Sequence, residues 1–248
     1  MKKIFLILSL VGLFSLTTTA AFAQADMYNP EIQIEGGEAL HQVIKNKFIE
    51  GGAMWMAPLL LCLVLGLAIV IERVLYLNLS TVNTKKLLDK VVEALNTEGL
   101  DAAKEICRDT RGPVATMFYQ GLERYNEGLD AVEKNLVATG SVQNGMIEGG
   151  LSWVGLFIAI SPMIGFMGTI VGMIMAFDSI EAAGDISPTV VAGGIKVALL
   201  TTFAALTVAI TLQLCYNYLI SKIDSLTIDM EDSSISFMDV LTEYSRKK

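Results

Sequence analysis

Two long apolar segments near the C-terminal end carry hydroxyl side chains where chemistry inside a membrane would need them. Thr169 lies in the first segment, and Thr201 and Thr202 lie in the second. A hydroxyl donates and accepts hydrogen bonds without carrying a charge, so it can hold water in a narrow lumen. We predict that Thr169, Thr202 and Thr201 line a pore. The alternative is that each threonine returns its hydroxyl to a backbone carbonyl one turn back in its own helix.

Small residues accompany the first of these hydroxyls. Gly165, Gly168 and Gly172 follow one another at spacings of three and four residues, which places them on one face of a helix. Small residues let membrane helices approach closely. We predict that these three glycines form a helix-packing face, which is compatible with Thr169 facing a lumen.

Titratable side chains are absent from both apolar segments. No Asp, Glu, His, Lys or Arg occurs between Ser152 and Phe177, or between Val197 and Tyr218. A proton relay through a membrane normally needs a titratable group near its middle. If this chain conducts protons, a partner must therefore bring the carboxylate. Lys196 is predicted to lie at the outer edge of the pore, where it could instead simply extend to the interface.

Composition excludes several other classes of function. Hydrophobic residues make up 53% of the chain and charged residues 18%, and the net charge is −8, which indicates a membrane protein rather than a nucleic-acid-binding one. The single His41 and the three cysteines have no metal-ligand spacing. No catalytic motif is present, so we expect no enzymatic activity, no catalytic residue, no metal and no cofactor.

The elements that must position these residues follow from hydropathy and helical periodicity. We predict an all-α membrane protein with three transmembrane helices after a cleaved signal peptide, and with a helical cytoplasmic insert. The predicted divisions are a signal peptide at 1–23, a periplasmic amphipathic segment at 24–52, transmembrane helices at 53–77, 151–177 and 190–218, the cytoplasmic helical domain at 78–150, a periplasmic turn at 178–189, and a cytoplasmic tail at 219–248.

The distribution of basic residues predicts the orientation. Eight Lys and Arg residues fall in 78–150 and four in 219–248, against two in 24–52. Positive charge accumulates on the cytoplasmic side, so the mature N-terminus is predicted to be outside and the C-terminus inside. An uncleaved signal anchor would give four spans with both ends inside.

Four pieces of the chain together resemble the MotA/TolQ/ExbB proton channel family, most closely its ExbB and TolQ branch. The resemblance covers about residues 53–217. The pieces are GGAMWMAPLLLCLVLGLAIVIERVLYL, PVATMFYQGL, IEGGLSWVGLFIAISPMIGFMGTIVGMIMAF and GGIKVALLTTFAALTVAITLQLCYNY. Thr169 and Thr202 fall on the pore threonines of the family. Val197 stands where many ExbB relatives have Glu, and Thr211 stands where the family has Pro.

The resemblance implies a homopentameric pore in the bacterial inner membrane, lined by the second and third spans. It also implies a partner of the ExbD or TolR type, a single-span protein whose membrane Asp supplies the missing carboxylate. Proton flow would then drive a TonB- or TolA-like protein. The leading expectation is an ExbB-like motor subunit for TonB-dependent outer-membrane transport. The alternatives are a TolQ-like subunit of the Tol–Pal envelope system, a stator of another ion-driven motor, or a passive membrane scaffold.

Overall fold

The computed structural model describes residues 40–247, and this part of the chain is helical, with no β-strand. The predicted signal peptide and residues 24–39 of the predicted periplasmic segment lie outside the described residues. The helices are α1 Leu40–Glu50, α2 Ala53–Ser80, α3 Thr84–Thr97, α4 Leu100–Asp109, α5 Pro113–Glu123, a 3₁₀ turn Tyr125–Glu127, α6 Leu129–Glu148, α7 Leu151–Ala183 and α8 Pro188–Lys247.

Three stretches of the described chain are long and apolar enough to cross a membrane, as predicted. They contain α2, α7 and the first half of α8. In α7 the apolar character surrounds the helix and Asp178 is its first charge. A helix that is apolar on all sides is expected in a membrane, where no aqueous face is needed.

The chain divides into two compact units, of which the first contains residues 40–70 and Ser152–Asn217. Its core joins α2 to α8 in two buried clusters. Met56 and Leu59 pack with residues of α8 that include Ala205, and Cys62 packs with Val208 and Leu212. Each cluster therefore fixes a different level of α2 against α8.

The second unit contains Ile71–Leu151 and residues 218–247. Its short helices have recognisable signals at their ends. The side chain of Asn83 accepts a hydrogen bond from Lys86 N at 3.1 Å and caps α3. Gly112, at φ +125°, precedes Pro113, the first residue of α5. A Cβ on Gly112 would lie 2.9 Å from Ser80 O, so this close turn needs a glycine.

The core of the second unit is a stacked aromatic pair. The rings of Phe118 in α5 and Phe237 in α8 have centroids 4.3 Å apart, and both side chains are fully buried. The segment predicted as a tail is thus not a separate element: α8 continues through it as one helix of 60 residues. Its buried residues recur at helical spacing and form the face that packs on the insert, namely Leu226, Met230, Phe237 and Leu241.

Arg73 lies in the second unit beside the C-terminal end of α6. Its Nη1 donates to Met146 O at 3.4 Å, its Nε lies 3.0 Å from Glu72 Oε2, and its guanidinium stands 5.4 Å from the ring centre of Tyr76. A cation at the end of a helix meets carbonyls that lack partners within the helix. Arg73 therefore ties the end of α2 to the end of α6.

Candidate functional site

Glycines bring α7 and α8 into close contact. A Cβ on Gly172 would lie 2.8 Å from Gly194 O and 2.8 Å from Ala198 N, which are both backbone atoms of α8. A Cβ on Gly168 would lie 2.7 Å from Thr201 Oγ1, and one on Gly165 would overlap the methyl group of Ala205. The three glycines thus face α8 over two helical turns, where any side chain would separate the helices.

The close approach places the hydroxyls of Thr169 and Thr202 side by side. The two Oγ1 atoms are within hydrogen-bond distance of each other. Thr202 Oγ1 donates to Ala198 O at 3.0 Å, and Thr169 Oγ1 lies 3.1 Å from Gly165 O and 3.3 Å from Ala198 O. Both residues are half-buried. Each hydroxyl proton therefore has an acceptor within the protein, and each oxygen can still accept a hydrogen bond.

The structure places Thr201 differently from the prediction that it lines a pore. Its side chain is fully buried, and its Oγ1 lies 2.9 Å from Val197 O and 3.0 Å from Ala198 O. The side chain of Thr201 occupies the space that a Cβ on Gly168 would need. Because it is enclosed within this chain, its hydroxyl is a packing group between α7 and α8 and does not face a lumen.

Thr169 and Thr202 each bond a carbonyl one turn back, as the alternative predicts, and two other threonines of α8 make only bonds of that kind. Thr207 Oγ1 donates to Phe203 O at 2.9 Å, and Thr211 Oγ1 donates to Thr207 O at 2.8 Å. Such bonds satisfy a hydroxyl within its own helix. The pairing across helices distinguishes Thr169 and Thr202 from these residues.

Lys196, predicted at the outer edge of the pore, forms an ion pair. Its Nζ lies 2.9 Å from Glu50 Oε2, and Lys47 Nζ lies 3.4 Å from the same oxygen. Partial burial raises the pKa of Glu50, but the hydrogen bond and charge of Lys196, together with Lys47, outweigh this effect and leave the pKa below its ordinary value. Glu50 is therefore ionised at neutral pH, and it balances part of the positive charge of the two lysines.

The facing segments of α7 and α8 offer hydrogen-bonding groups but no titratable side chain. Along α8 the next charged residue after Lys196 is Lys222, and α7 has none before Asp178. Among residues 40–247, no group of three or more His, Cys, Asp and Glu side chains could hold a metal ion. The arrangement can orient water or a carboxylic acid from elsewhere, but it cannot itself bind and release a proton near neutral pH.

Sequence reasoning missed three contacts in the first unit. Gly194 faces Gly172, and Gly66 of α2 lies against Leu212, whose methyl group would be 2.7 Å from an added Cβ. Gln213 and Asn217 form a hydrogen-bonded amide pair. A glycine or an amide within an apolar run is the signal that could have revealed each contact, since glycine in a membrane helix often marks close packing and a polar side chain there needs a partner.

Comparison with known proteins identifies the family. The model of the MotA/TolQ/ExbB proton channel family matches residues 109–232, which is half of the chain. A protein of Methanothermobacter thermautotrophicus that is named as an ExbB homolog in biopolymer transport is 30% identical over 161 residues, which cover 64% of this chain and 57% of that protein. The chain thus spans little more than half the length of this relative.

Further relatives point in the same direction. The biopolymer transport protein ExbB of Neisseria gonorrhoeae is 29% identical over 150 residues, which cover 55% of this chain and 68% of that protein. The fold is similar to that of the C. jejuni MotAB structure, with a TM-score of 0.56 at 15% identity, covering 95% of this chain and 89% of that one. This chain is a multi-pass membrane protein that belongs to the MotA/TolQ/ExbB proton channel family and is most like its ExbB members.

Proposed function

We propose that this chain is the pore-forming subunit of a proton-driven motor in the bacterial inner membrane. The observation that carries the proposal is the hydroxyl pair of Thr169 and Thr202, held between two helix segments that contain no charged residue, 152–177 and 197–218. A pair of neutral hydrogen-bonding groups suits a proton path whose titratable group comes from a second protein. The role is that of a channel and force transducer, without enzymatic chemistry and without a cofactor.

The assembly that fits this role is a homopentamer around a dimer of a single-span, ExbD-like protein. The Asp of that partner would enter the space beside the hydroxyl pairs and exchange its proton between the two sides of the membrane. One charge that crosses the membrane gains about 2.3 kcal/mol per 100 mV. Relatives named as ExbB proteins of biopolymer transport support an ExbB-like role over the TolQ-like alternative, and coupling to a TonB-like protein in outer-membrane transport is the pathway that we propose.

The proposed orientation follows from charge. After removal of a signal peptide, the N-terminus and the turn between α7 and α8 would face the periplasm, and residues 78–150 and 219–248 would face the cytoplasm. The lack of basic residues in the turn at 184–187 and the basic residues of the insert support this orientation.

The test is the native mass of the complex, extracted gently from its own membranes, together with the sequences of the chains that co-purify. We expect five copies of this chain with two copies of a single-span protein that carries a membrane Asp. An attached TonB-like or TolA-like protein would name the pathway. A bare oligomer or monomer, reproducibly free of such a partner, would leave the helices without a proton carrier and would favour a passive scaffold.

A further inference from the structure

A second polar site lies further along α8 from the hydroxyl pair. Gln213 Nε2 donates to Asn217 Oδ1 at 3.1 Å, and both side chains are exposed. An amide of this kind offers two N–H donors and a carbonyl acceptor. The bond between them uses only part of this capacity, so most of the polar atoms of the pair still face outward from the chain.

The exposed amides of Gln213 and Asn217 lie within the part of α8 that is expected to cross the hydrocarbon core. The charges nearest to the apolar part of α8 are Lys196 and Lys222, and the position midway between them is residue 209. At about 1.5 Å per residue, Gln213 is about 6 Å and Asn217 about 12 Å from that midpoint. Both distances fall within half of a hydrocarbon core about 30 Å thick. Amide N–H and C=O groups that lack a partner at this depth are unfavourable against lipid, and they normally face water or protein.

The pair also lies on the same side of α8 as Thr202. Gln213 is 11 residues beyond Thr202, which is about 20° around the helix axis, and Asn217 is about 60° away. Two exposed apolar side chains, Leu206 and Ile210, lie between the two polar sites along the helix. This face of α8 is therefore polar, then apolar, then polar again.

We propose that Gln213 and Asn217 hold water in the inner half of the proton path, as a second polar site that receives the proton after it leaves the region of Thr169 and Thr202. This inference rests on the proposed function. The amides remain neutral throughout: water molecules bound to their N–H and C=O groups pass the proton on, and no covalent bond to the protein forms or breaks. The apolar interval of Leu206 and Ile210 separates the two sites, so the proton must be carried across it by the partner.

The first test measures water at this site independently of proton flux. The full-length Gln213→Cys protein in its native complex is treated with a small, charged methanethiosulfonate, with Leu214→Cys as the matched control on the neighbouring face. A thiol reacts as its thiolate, which forms in water and not in lipid. We expect Gln213→Cys to react at least about tenfold faster than Leu214→Cys. Equal and slow reaction of both variants would overturn the inference.

The second test measures flux in proteoliposomes that contain the native complex with its co-purifying partner. Gln213→Met removes the amide while preserving the length of the side chain, and Thr211→Val removes a hydroxyl that is satisfied within its helix on the opposite face. We expect proton flux to fall about tenfold in Gln213→Met, with the native mass unchanged, and to stay the same in Thr211→Val. Wild-type flux in Gln213→Met would overturn the inference and leave the proposed function standing. If Gln213→Cys is labelled but the wild-type complex shows no proton flux, the proposed function is overturned. The proton route through Gln213 and Asn217 then fails as well.

Discussion

Lys196 Nζ and Glu50 Oε2 lie 2.9 Å apart, although 146 positions separate the two residues in sequence. The contact joins the last residue of α1 to the early part of α8. Gly52, two residues after Glu50, lies against the same region, since a Cβ on it would be 3.7 Å from a methyl group of Val197. The segment before the first span and the beginning of the third span therefore form one packed corner.

This ion pair predicts a specific dependence of stability on pH. The pKa of Glu50 is lowered in the folded protein relative to its ordinary value of 4.5. A carboxyl with a depressed pKa stabilises the fold above its unfolded-state pKa, and the contribution is lost as the pH falls through the folded value. Glu50→Gln should thus lower the thermal midpoint at pH 7, by the equivalent of about 1 kcal/mol or less for a partly exposed pair.

The measurement is the thermal unfolding of the wild type and of Glu50→Gln between pH 3 and pH 7. The two midpoints should differ above about pH 4.5 and converge below it. Asp185→Asn, which changes an exposed carboxylate in the turn before α8, is the control and should show no such convergence. A difference that is independent of pH would show that Glu50 acts through packing and not through its charge.

The hydroxyl pair predicts a loss of flux without a loss of assembly. Valine has nearly the shape of threonine, so Thr169→Val and Thr202→Val remove hydrogen-bonding capacity while filling the same space. We expect either variant to reduce proton flux in proteoliposomes by at least about tenfold, which corresponds to the removal of a single hydrogen bond of about 1.4 kcal/mol at the path. Thr207→Val, whose hydroxyl is bonded within its own helix, should conduct normally. Normal flux in both Thr169→Val and Thr202→Val would show that the hydroxyl pair is not part of the proton path.

The contact of α7 with α8 predicts that Gly172 cannot be enlarged. In Gly172→Ala the new methyl group would meet backbone atoms of Gly194 and Ala198 at 2.8 Å, and backbone cannot rotate away as a side chain can. We expect a loss of about 1–3 kcal/mol, the usual effect of overpacking. Gly155→Ala in the same helix has open space around the new methyl group and should be neutral or stabilising by up to about 1 kcal/mol. Thermal unfolding of both variants in detergent checks the comparison, and equal midpoints would contradict the tight contact.

The sequence predicts the helices well because hydrophobic length and periodicity are local properties. The length of the apolar runs predicts the three spans, and helical periodicity predicts the helices of the insert. For example, Leu87, Val91 and Leu95 recur at helical spacing, and all three are buried in the structure. The continuation of α8 through residues 219–247 is less evident, since its apolar stripe has meaning only once α5 is present to cover Phe237.

The rotation of each helix about its own axis is what local patterns leave undetermined. Thr201 and Thr202 are neighbours in sequence and about 100° apart on the helix, so one can be buried while the other remains accessible. The difference in burial between Thr201 and Thr202 depends on which face of α8 contacts Gly168, and the packing of α7 against α8 determines that face. The pairing of Lys196 with Glu50 is likewise a tertiary contact without a local signal.

The burial of Cys107 predicts that this thiol is inert in the folded protein. Burial raises the pKa of the Cys107 thiol to about 12, and the side chain is 2% exposed. Because the thiolate is the reactive form, its reaction with a maleimide at pH 7.5 should be about a thousandfold slower than that of a cysteine in an unfolded chain. Mass spectrometry locates the label. Glu105→Cys, at an exposed position of the same helix, should react quickly, and fast labelling of Cys107 in the folded protein would contradict its burial.

The stacked rings of Phe118 and Phe237 predict where the second unit is most sensitive to substitution. Both side chains are 0% exposed, and the Cβ that Gly121 lacks would lie 2.9 Å from the Phe237 ring, so the surroundings are closely packed. Phe237→Ala leaves a cavity and should cost about 3–5 kcal/mol of unfolding free energy. Asp239→Ala, two residues further along α8 and exposed, should change it by less than about 0.5 kcal/mol. Denaturant unfolding of the purified protein measures both variants. A loss below about 1 kcal/mol for Phe237→Ala would mean that the 219–247 part of α8 does not depend on the aromatic pair for its attachment to the insert.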